Sequence, residues 1–144
     1  MSHQIPGETL EAIFETLPFE VTFIDDNDIV RYYIKGQKEV FLRTHEAIGR
    51  NVRDCHPEKS LYKVNEVIAD LKSGKRGFAE FWINFKGHKV YIRYFPVKDK
   101  DSRYIGIIEV IEDVTEFKKI TGEKRLIQDS WFTRLGDVPE QPRF

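Results

Sequence analysis

The sequence predicts an α+β fold, with a five-stranded antiparallel sheet, helices over one face of that sheet and further helices flanking it at both ends. Three observations predict this fold. β-Branched and aromatic residues are concentrated in five short segments, as is typical of strands. Short turns rich in Asp, Gly and Lys join neighbouring segments, which favours hairpins and therefore antiparallel pairing. Apolar residues spaced three and four positions apart predict helices outside these segments.

The N-terminal part of the chain begins with a helix predicted over residues 8–17, where apolar side chains form one stripe. Pro18 ends this helix because a proline disfavours the helical conformation in the residue before it. Two strands are predicted next, at 21–24 and 29–34. The acidic residues between them are suited to a tight turn, so the two strands are expected to form a hairpin.

The middle of the chain, residues 36–54, is expected to be irregular, with short helical pieces. Pro57 then suits the first turn of a second helix, where its missing N–H costs no hydrogen bond. Gly74 is expected to end this helix in the left-handed conformation. The apolar residues of the helix fall on one face, which we expect to cover the sheet. They are Leu61, Val64, Val67, Ile68 and Leu71.

Three further strands are predicted at 78–85, 89–97 and 103–113. The last of them is apolar on both faces, so we expect a helix to cover one face and a flanking helix or a partner subunit to cover the other. A charged helix is predicted after it. The predicted organisation is a flanking helix over 1–17, a core over 18–114, a C-terminal helix over 115–128 and a tail over 129–144.

Composition excludes several classes of protein. The chain has 144 residues and a net charge of −1, whereas a strong nucleic-acid binder is usually basic. No apolar run approaches the roughly 18 residues of a membrane span, and the N-terminus lacks the pattern of a signal peptide. The single cysteine, Cys55, favours a reducing compartment. We therefore expect a cytoplasmic protein that has no nucleic-acid or membrane partner.

Several short stretches of the chain carry a family resemblance. They are TLPFEVTFID (16–25), IGRNV (48–52), CHP (55–57), AEFWI (79–83), YIRY (91–94) and GEKRL (122–126). In this order they resemble the PAS domain, and in particular the PAS module at the C-terminus of bacterial hemerythrin-like proteins. Asp113-Val114-Thr115 also matches the D-[IV]-T signature that closes most PAS domains. The chain departs from the family at Glu58, where a second proline is common, and it has no set of residues for a di-iron site.

The resemblance implies a sensory or protein-interaction module that has no catalytic activity. A small-molecule ligand and a downstream signalling protein are the partners it implies. The apolar stripe of the first helix and the two apolar faces of the last strand favour a homodimer. Asp113 and Thr115 can accept backbone N–H bonds at the start of the C-terminal helix, and we expect this joint to couple the sheet to that helix.

Cys55 and His56 are the sharpest local candidates for a site. Thiolate and imidazole both ligate iron, so these residues favour a haem or redox sensor as one hypothesis. The alternative is that they only shape the turn before the second helix. No second cluster of ligands accompanies them, which argues against a structural metal site.

Phe81, Trp82, Arg93 and Tyr94 are further candidates for contact with a ligand. Aromatic residues on strands can line a cavity, and a packed core or a dimer face is the alternative. An arginine can bind an anionic group, and a salt-bridged surface is the alternative. The wider sets are Phe23, Tyr33, Phe41, Phe85 and Phe95 for the cavity, and Arg31, Arg43, Arg50 and Arg53 for the anion.

An enzyme is a third hypothesis. Ser60 and His56 lie four positions apart, but no nucleophile elbow, P-loop or dinucleotide-binding glycine motif accompanies them. A small enzyme of the NTF2-like type would have helices before its sheet, whereas two strands come early in this chain. The sequence therefore favours a binding or signalling function.

Overall fold

One antiparallel sheet of five strands organises the molecule. A computed structural model describes residues 4–36, 39–41 and 45–126. The helices are α1 (Gly7–Thr16) and α2 (Leu61–Ser73), and the strands are β1 (Glu20–Asp25), β2 (Val30–Ile34), β3 (Ala79–Phe85), β4 (His88–Lys98) and β5 (Tyr104–Asp113). Short 3-10 turns lie at His45–Ala47, Val52–Cys55, Glu58–Ser60 and Thr115–Lys119. The α+β fold, the antiparallel sheet and the predicted strands are confirmed.

The strand order is β2-β1-β5-β4-β3, so the first and last strands of the chain are neighbours in the centre of the sheet. Every pair of neighbouring strands is antiparallel. In the central pair, Glu20 lies opposite Ile111 and Asp25 lies opposite Gly106. The chain therefore enters β1 at the same end of the sheet at which it leaves β5.

The core lies between α2 and one face of the sheet, which we call the inner face. Leu71 of α2 is 1% exposed and packs in a cluster with Ile24 of β1 and Ile107 of β5. Gly74 ends α2 with φ 82°, in the left-handed conformation expected for it. Because side chains alternate along a strand, the neighbours of these strand residues lie on the opposite, outer face.

The segment between β2 and α2 is fastened to the edge of the sheet by backbone hydrogen bonds. Val30 N–H donates to the Arg50 carbonyl at 2.9 Å, and Val52 N–H donates to the Asp28 carbonyl at 2.8 Å. The Arg53 guanidinium donates to the Asp28 carboxylate at 2.8 Å. The backbone bonds hold this irregular segment beside β2, which leaves a space between the segment and the inner face.

The predicted C-terminal helix over 115–128 is wrong for the residues that the structure describes. A single 3-10 turn forms at Thr115–Lys119, and Ile120 follows it in an extended conformation. Gly122 has φ 62°, which is incompatible with a continuing helix. Residues 127–128 and the predicted tail over 129–144 lie outside the described residues.

Cover of the outer face differs between strands, since Val21 of β1 and Ile34 of β2 are each 3% exposed whereas β5 is less covered. On β5, the inner-face residues Ile107 and Ile111 are each 1% exposed, whereas the outer-face residues Ile108 and Val110 are only half-buried. Helix α1 has no buried residue. Among the described residues, neither α1 nor α2 has the length and the continuous apolar surface of a membrane-spanning helix.

Candidate functional site

A cavity of about 280 Å³ lies between the inner face of the sheet and the irregular segment after β2. Pockets for drug-sized ligands occupy roughly 300–1,000 Å³, so this cavity suits a molecule of smaller size. Strands β1, β2 and β5 form its floor, and the segment 46–56 forms its rim. The lining residues are Thr22, Ile24, Val30, Tyr33, Glu46, Ala47, Arg50, Val52, Cys55, His56 and Glu109.

The floor of the cavity carries a row of polar side chains across three strands. Thr22 pairs with Tyr33 on one side and with Glu109 on the other, so the three side chains lie next to one another on the inner face. Thr22 is 3% exposed and Glu109 is 6% exposed. Each of the three interacts with another group in the structure.

A second buried carboxylate, Glu20, lies one inner-face position further along β1. It is 0% exposed, and its Oε1 accepts hydrogen bonds from the backbone N–H groups of Val40 and Phe41, the latter at 2.9 Å. Burying an ionised carboxylate is costly unless donors surround it. Glu20 therefore fixes the chain after β2 over the inner face.

The rim of the cavity brings Cys55, His56 and Arg50 together. The Nδ1 of His56 lies 3.0 Å from the carbonyl oxygen of Val52, which can only accept, so Nδ1 carries the hydrogen and Nε2 is the acceptor of the neutral ring. Cys55 is exposed, and its thiol lies 3.9 Å from the Asn51 carbonyl oxygen. Arg50 is exposed and has no salt bridge within the described ranges.

Haem does not fit this cavity. The Nε2 of His56 has the ligation chemistry that a haem iron accepts. Pockets for drug-sized ligands already exceed the volume of this cavity. A porphyrin is larger still than a drug-sized ligand. The geometry is better suited to a small polar molecule.

The other four candidate contacts do not line the cavity. Phe81 and Tyr94 lie on the inner face, with ring centroids 6.1 Å apart in an edge-to-face arrangement. Trp82 and Arg93 point to the outer face because they are the chain neighbours of those two residues. Of the six candidates from the sequence, Cys55 and His56 therefore line the cavity, Phe81 and Tyr94 pack on the inner face, and Trp82 and Arg93 lie on the outer face.

On the outer face, aromatic rings surround Arg93. Its guanidinium lies 4.8 Å from the ring centroid of Tyr91 and 5.8 Å from that of Phe95, and it donates to the Glu112 carboxylate. Phe78 stacks on Phe95 at 6.1 Å and is 48% exposed, and Trp82 is 62% exposed. We call Phe78, Trp82, Tyr91, Arg93 and Phe95 the outer aromatic patch.

The predicted joint after β5 is held by a network of hydrogen bonds. The Thr115 hydroxyl donates to Asp113 Oδ1 at 2.5 Å and accepts from the Lys89 N–H at 2.9 Å. Val114 N–H donates to the Lys89 carbonyl at 2.8 Å, and His88 Nδ1 lies 2.7 Å from Asp113 Oδ2. Hydrogen bonds from the Thr115 hydroxyl and N–H, and the charge of His88, hold the pKa of Asp113 below its ordinary value.

Thr22, Glu46 and Glu109 were not among the candidates from the sequence. Glu109 could have been identified from the sequence, because it is the only charged residue between Tyr104 and Ile111. A lone acid in an apolar strand is costly to bury without a purpose or a partner. Thr22 and Glu46 carried no comparable signal.

Comparison with known proteins identifies the fold. A family model described as a PAS domain matches residues 10–115. The C-terminal domain of a Streptococcus mutans protein has 34% identity and a TM-score of 0.75, with 81% of this chain and 91% of that chain covered. A comparison with curated proteins gives no significant match.

Two more distant solved structures have the same fold. The PAS domain of Bordetella pertussis BvgS has 16% identity and a TM-score of 0.59, with 91% of this chain and 94% of that chain covered. A sensory box sensor histidine kinase from Vibrio cholerae has 14% identity and a TM-score of 0.52, with 75% and 90% covered.

Proposed function

The chain belongs to the PAS domain family, and we propose that it acts as a non-catalytic sensory module that binds a small polar ligand and dimerises. Domains of this family are typical of signalling proteins such as histidine kinases. In this proposal the ligand occupies the inner-face cavity, and the joint after β5 passes its effect to a downstream signalling protein. The exposed free thiol of Cys55 supports a reducing, cytoplasmic location.

The polar row on the cavity floor is the observation that carries this proposal. Thr22, Tyr33 and Glu109 carry oxygen atoms and line this small, partly open volume, and Arg50 and His56 line the same volume from the rim. A few convergent polar groups among apolar walls are typical of sites that orient a small molecule. A ligand with both hydrogen-bond donors and an acidic group would match these side chains.

Ser60 and His56, the nucleophile and base that the sequence offered for an enzyme, are not hydrogen-bonded to each other, which supports a non-catalytic role. The Ser60 hydroxyl donates to the Pro57 carbonyl at 3.0 Å, and His56 Nδ1 donates to the Val52 carbonyl. A nucleophile needs a base within hydrogen-bond reach, and these two side chains are instead bonded to the backbone.

The path from the cavity to the joint is short. Glu109 lies on β5, which ends four residues later at Asp113. A ligand that shifts Glu109 acts on a strand that is hydrogen-bonded on both sides, so the displacement is expected along β5 toward Thr115. A joint with two arrangements of similar free energy would convert that displacement into a signal.

Unpaired apolar surface supports dimerisation. Leu10 and Ile13 of α1 are 42% and 47% exposed, although they form the apolar stripe of the helix. The outer aromatic patch exposes Phe78 and Trp82. An amphipathic helix normally buries its apolar stripe, and large exposed apolar patches mark interaction surfaces. A second copy of the chain would cover both.

Native mass spectrometry of the purified chain tests the ligand proposal. We expect a small-molecule adduct that is lost in Arg50→Ala and retained in Lys98→Ala, a control that also removes one exposed cation. Because Arg50 has no salt bridge among the described residues, its removal should leave the fold intact. An adduct that survives Arg50→Ala unchanged, or wild-type protein without any adduct, would contradict the proposed site.

Light scattering of the same protein tests the dimer. We expect twice the mass of one chain at high concentration, and a monomer for Ile13→Lys. Glu8→Lys adds the same group to the same helix outside the apolar stripe and should remain dimeric. A wild-type monomer at high concentration would refute the dimer.

A redox role of Cys55 is the second candidate function, because its exposed thiol lies at the rim of the cavity beside His56. Peroxide treatment should then alter the oligomeric state or the adduct of the wild-type protein and leave Cys55→Ser unaffected. Identical responses of the two proteins would remove this candidate.

A further inference from the structure

A second cavity, of about 240 Å³, lies between the start of β4 and the 3-10 turn after β5. Its lining includes Asn84, His88, Lys89, Thr115 and Lys118. We propose that this cavity binds a small oxyanion, either inorganic phosphate or a phosphomonoester. The bound anion would link the 3-10 turn to the β3–β4 hairpin and so restrain the joint through which the chain leaves the sheet.

The charge of the cavity favours an anion. Lys89 and Lys118 approach it from two different elements, and within the described part of the chain neither forms a salt bridge. The next residue, Lys119, differs in this respect, because it pairs with Glu116 at 2.7 Å. Both lysines are exposed, and an anion in the cavity would supply the counter-charge that neither of them has there.

The carboxylate that contacts the lining residues His88 and Thr115 is already occupied. Asp113 accepts hydrogen bonds from the hydroxyl and the N–H of Thr115, at 2.5 and 3.0 Å, and its other oxygen lies 2.7 Å from His88 Nδ1. Asp113 therefore competes weakly for the two lysines, and no carboxylate lines the cavity itself.

The remaining polar groups are suited to an anion with several oxygen atoms. The amide of Asn84 has two N–H donors, and the His88 ring, whose Nδ1 is directed at Asp113, can donate from Nε2 in its imidazolium form. Lysine binds phosphate as a point charge that needs no exact orientation. Donors from β3, β4 and the 3-10 turn would then meet on one tetrahedral anion.

Nuclear magnetic resonance of the full chain with sodium phosphate tests this proposal, with ionic strength held constant by sodium chloride. We expect saturable shifts of the backbone amide signals of Gly87, Lys89 and Lys118, and no shifts in α1. Phenyl phosphate tests whether the site accepts a phosphomonoester, and acetate tests whether a singly charged carboxylate suffices. Tighter binding of phenyl phosphate would identify a phosphomonoester as the ligand, and tighter binding of phosphate would identify the free ion.

Two lysine variants and a control separate a site from general ionic effects. Lys89→Gln and Lys118→Gln should each raise the apparent Kd for phosphate by about fivefold, the upper range for one solvent-exposed ion pair. Lys100→Gln removes an exposed lysine in the turn between β4 and β5 and should leave Kd unchanged. The dispersion of the spectrum shows that each variant is folded. Shifts that do not saturate, or the same Kd in all three variants, would overturn the proposal.

Discussion

Replacing Thr115 by valine tests the hydrogen-bonded joint, because valine keeps the branched shape of threonine and removes only the hydroxyl. Besides a long contact of 3.4 Å to His88 Nδ1, that hydroxyl makes one hydrogen bond to a charged group, Asp113, at 2.5 Å and one to a neutral group, the Lys89 N–H, at 2.9 Å. A hydrogen bond to a charged group contributes about 1.5–3 kcal/mol and a neutral one about 0.5–1.5 kcal/mol. Thr115 is half-buried, so in the variant water can bind in part to the two groups that lose the hydroxyl. We therefore expect the free energy of unfolding to fall by about 2 kcal/mol.

Urea denaturation followed by circular dichroism at pH 7 measures this loss. Thr115→Ser retains the hydroxyl and should lose less than half as much stability as Thr115→Val. Single domains have unfolding free energies of about 5–15 kcal/mol, so both variants should remain folded without denaturant. A Thr115→Val protein within about 0.5 kcal/mol of the wild type, the usual range for surface substitutions, would refute the reasoning, as would equal losses in the two variants.

Two further predictions concern the core and the response to acid. Leu71 is 1% exposed, so Leu71→Ala should lower the free energy of unfolding by about 2–5 kcal/mol. Tyr62→Ala, on the exposed side of the same helix, is the control. Equal losses of stability in urea denaturation of the two variants would contradict the assignment of Leu71 to the core. The pKa of Asp113 is held below the ordinary value of 3.8, so its stabilising effect is present above that pH and is lost as the pH falls through the lowered pKa. The wild type should therefore exceed Asp113→Asn in stability at pH 6 and approach it near pH 2; a constant difference between pH 6 and 2 would contradict this.

The strands could be predicted from the sequence because local patterns determine them. The alternation of residues 79–85 and the acidic turn after β1 both operate over a few positions. The C-terminal helix was wrong because the charged run after Thr115 has good helical composition, whereas Gly122 adopts a left-handed conformation within it. Helix propensity is a weak guide where no buried face supports the helix, and Thr115–Lys119 has no buried residue.

The candidate site could be predicted only in part. Cys55 and His56 were found because they are adjacent in the chain and remain together at the rim of the cavity. Neighbouring residues of a strand lie on opposite faces of the sheet. Which residue of the pairs Phe81/Trp82 and Arg93/Tyr94 points to the inner face depends on the face that α2 covers, and the sequence does not give that face. The pairing of Thr22 with Glu109 joins residues far apart in sequence, and no local pattern contains it.

The central pairing of β1 with β5 has a mechanical consequence. Because Glu20 and Ile111 lie at the end of the sheet where the chain both enters and leaves, tension between the two flanks would open this ladder one hydrogen bond at a time, beginning at that pair. Unzipping of this kind needs far less force than sliding two strands past each other, where many bonds must break together. The first groups to separate would include Glu20, whose carboxylate holds Phe41 over the inner face. Tension at the end of the sheet next to the joint would therefore separate β1 from β5 at low force.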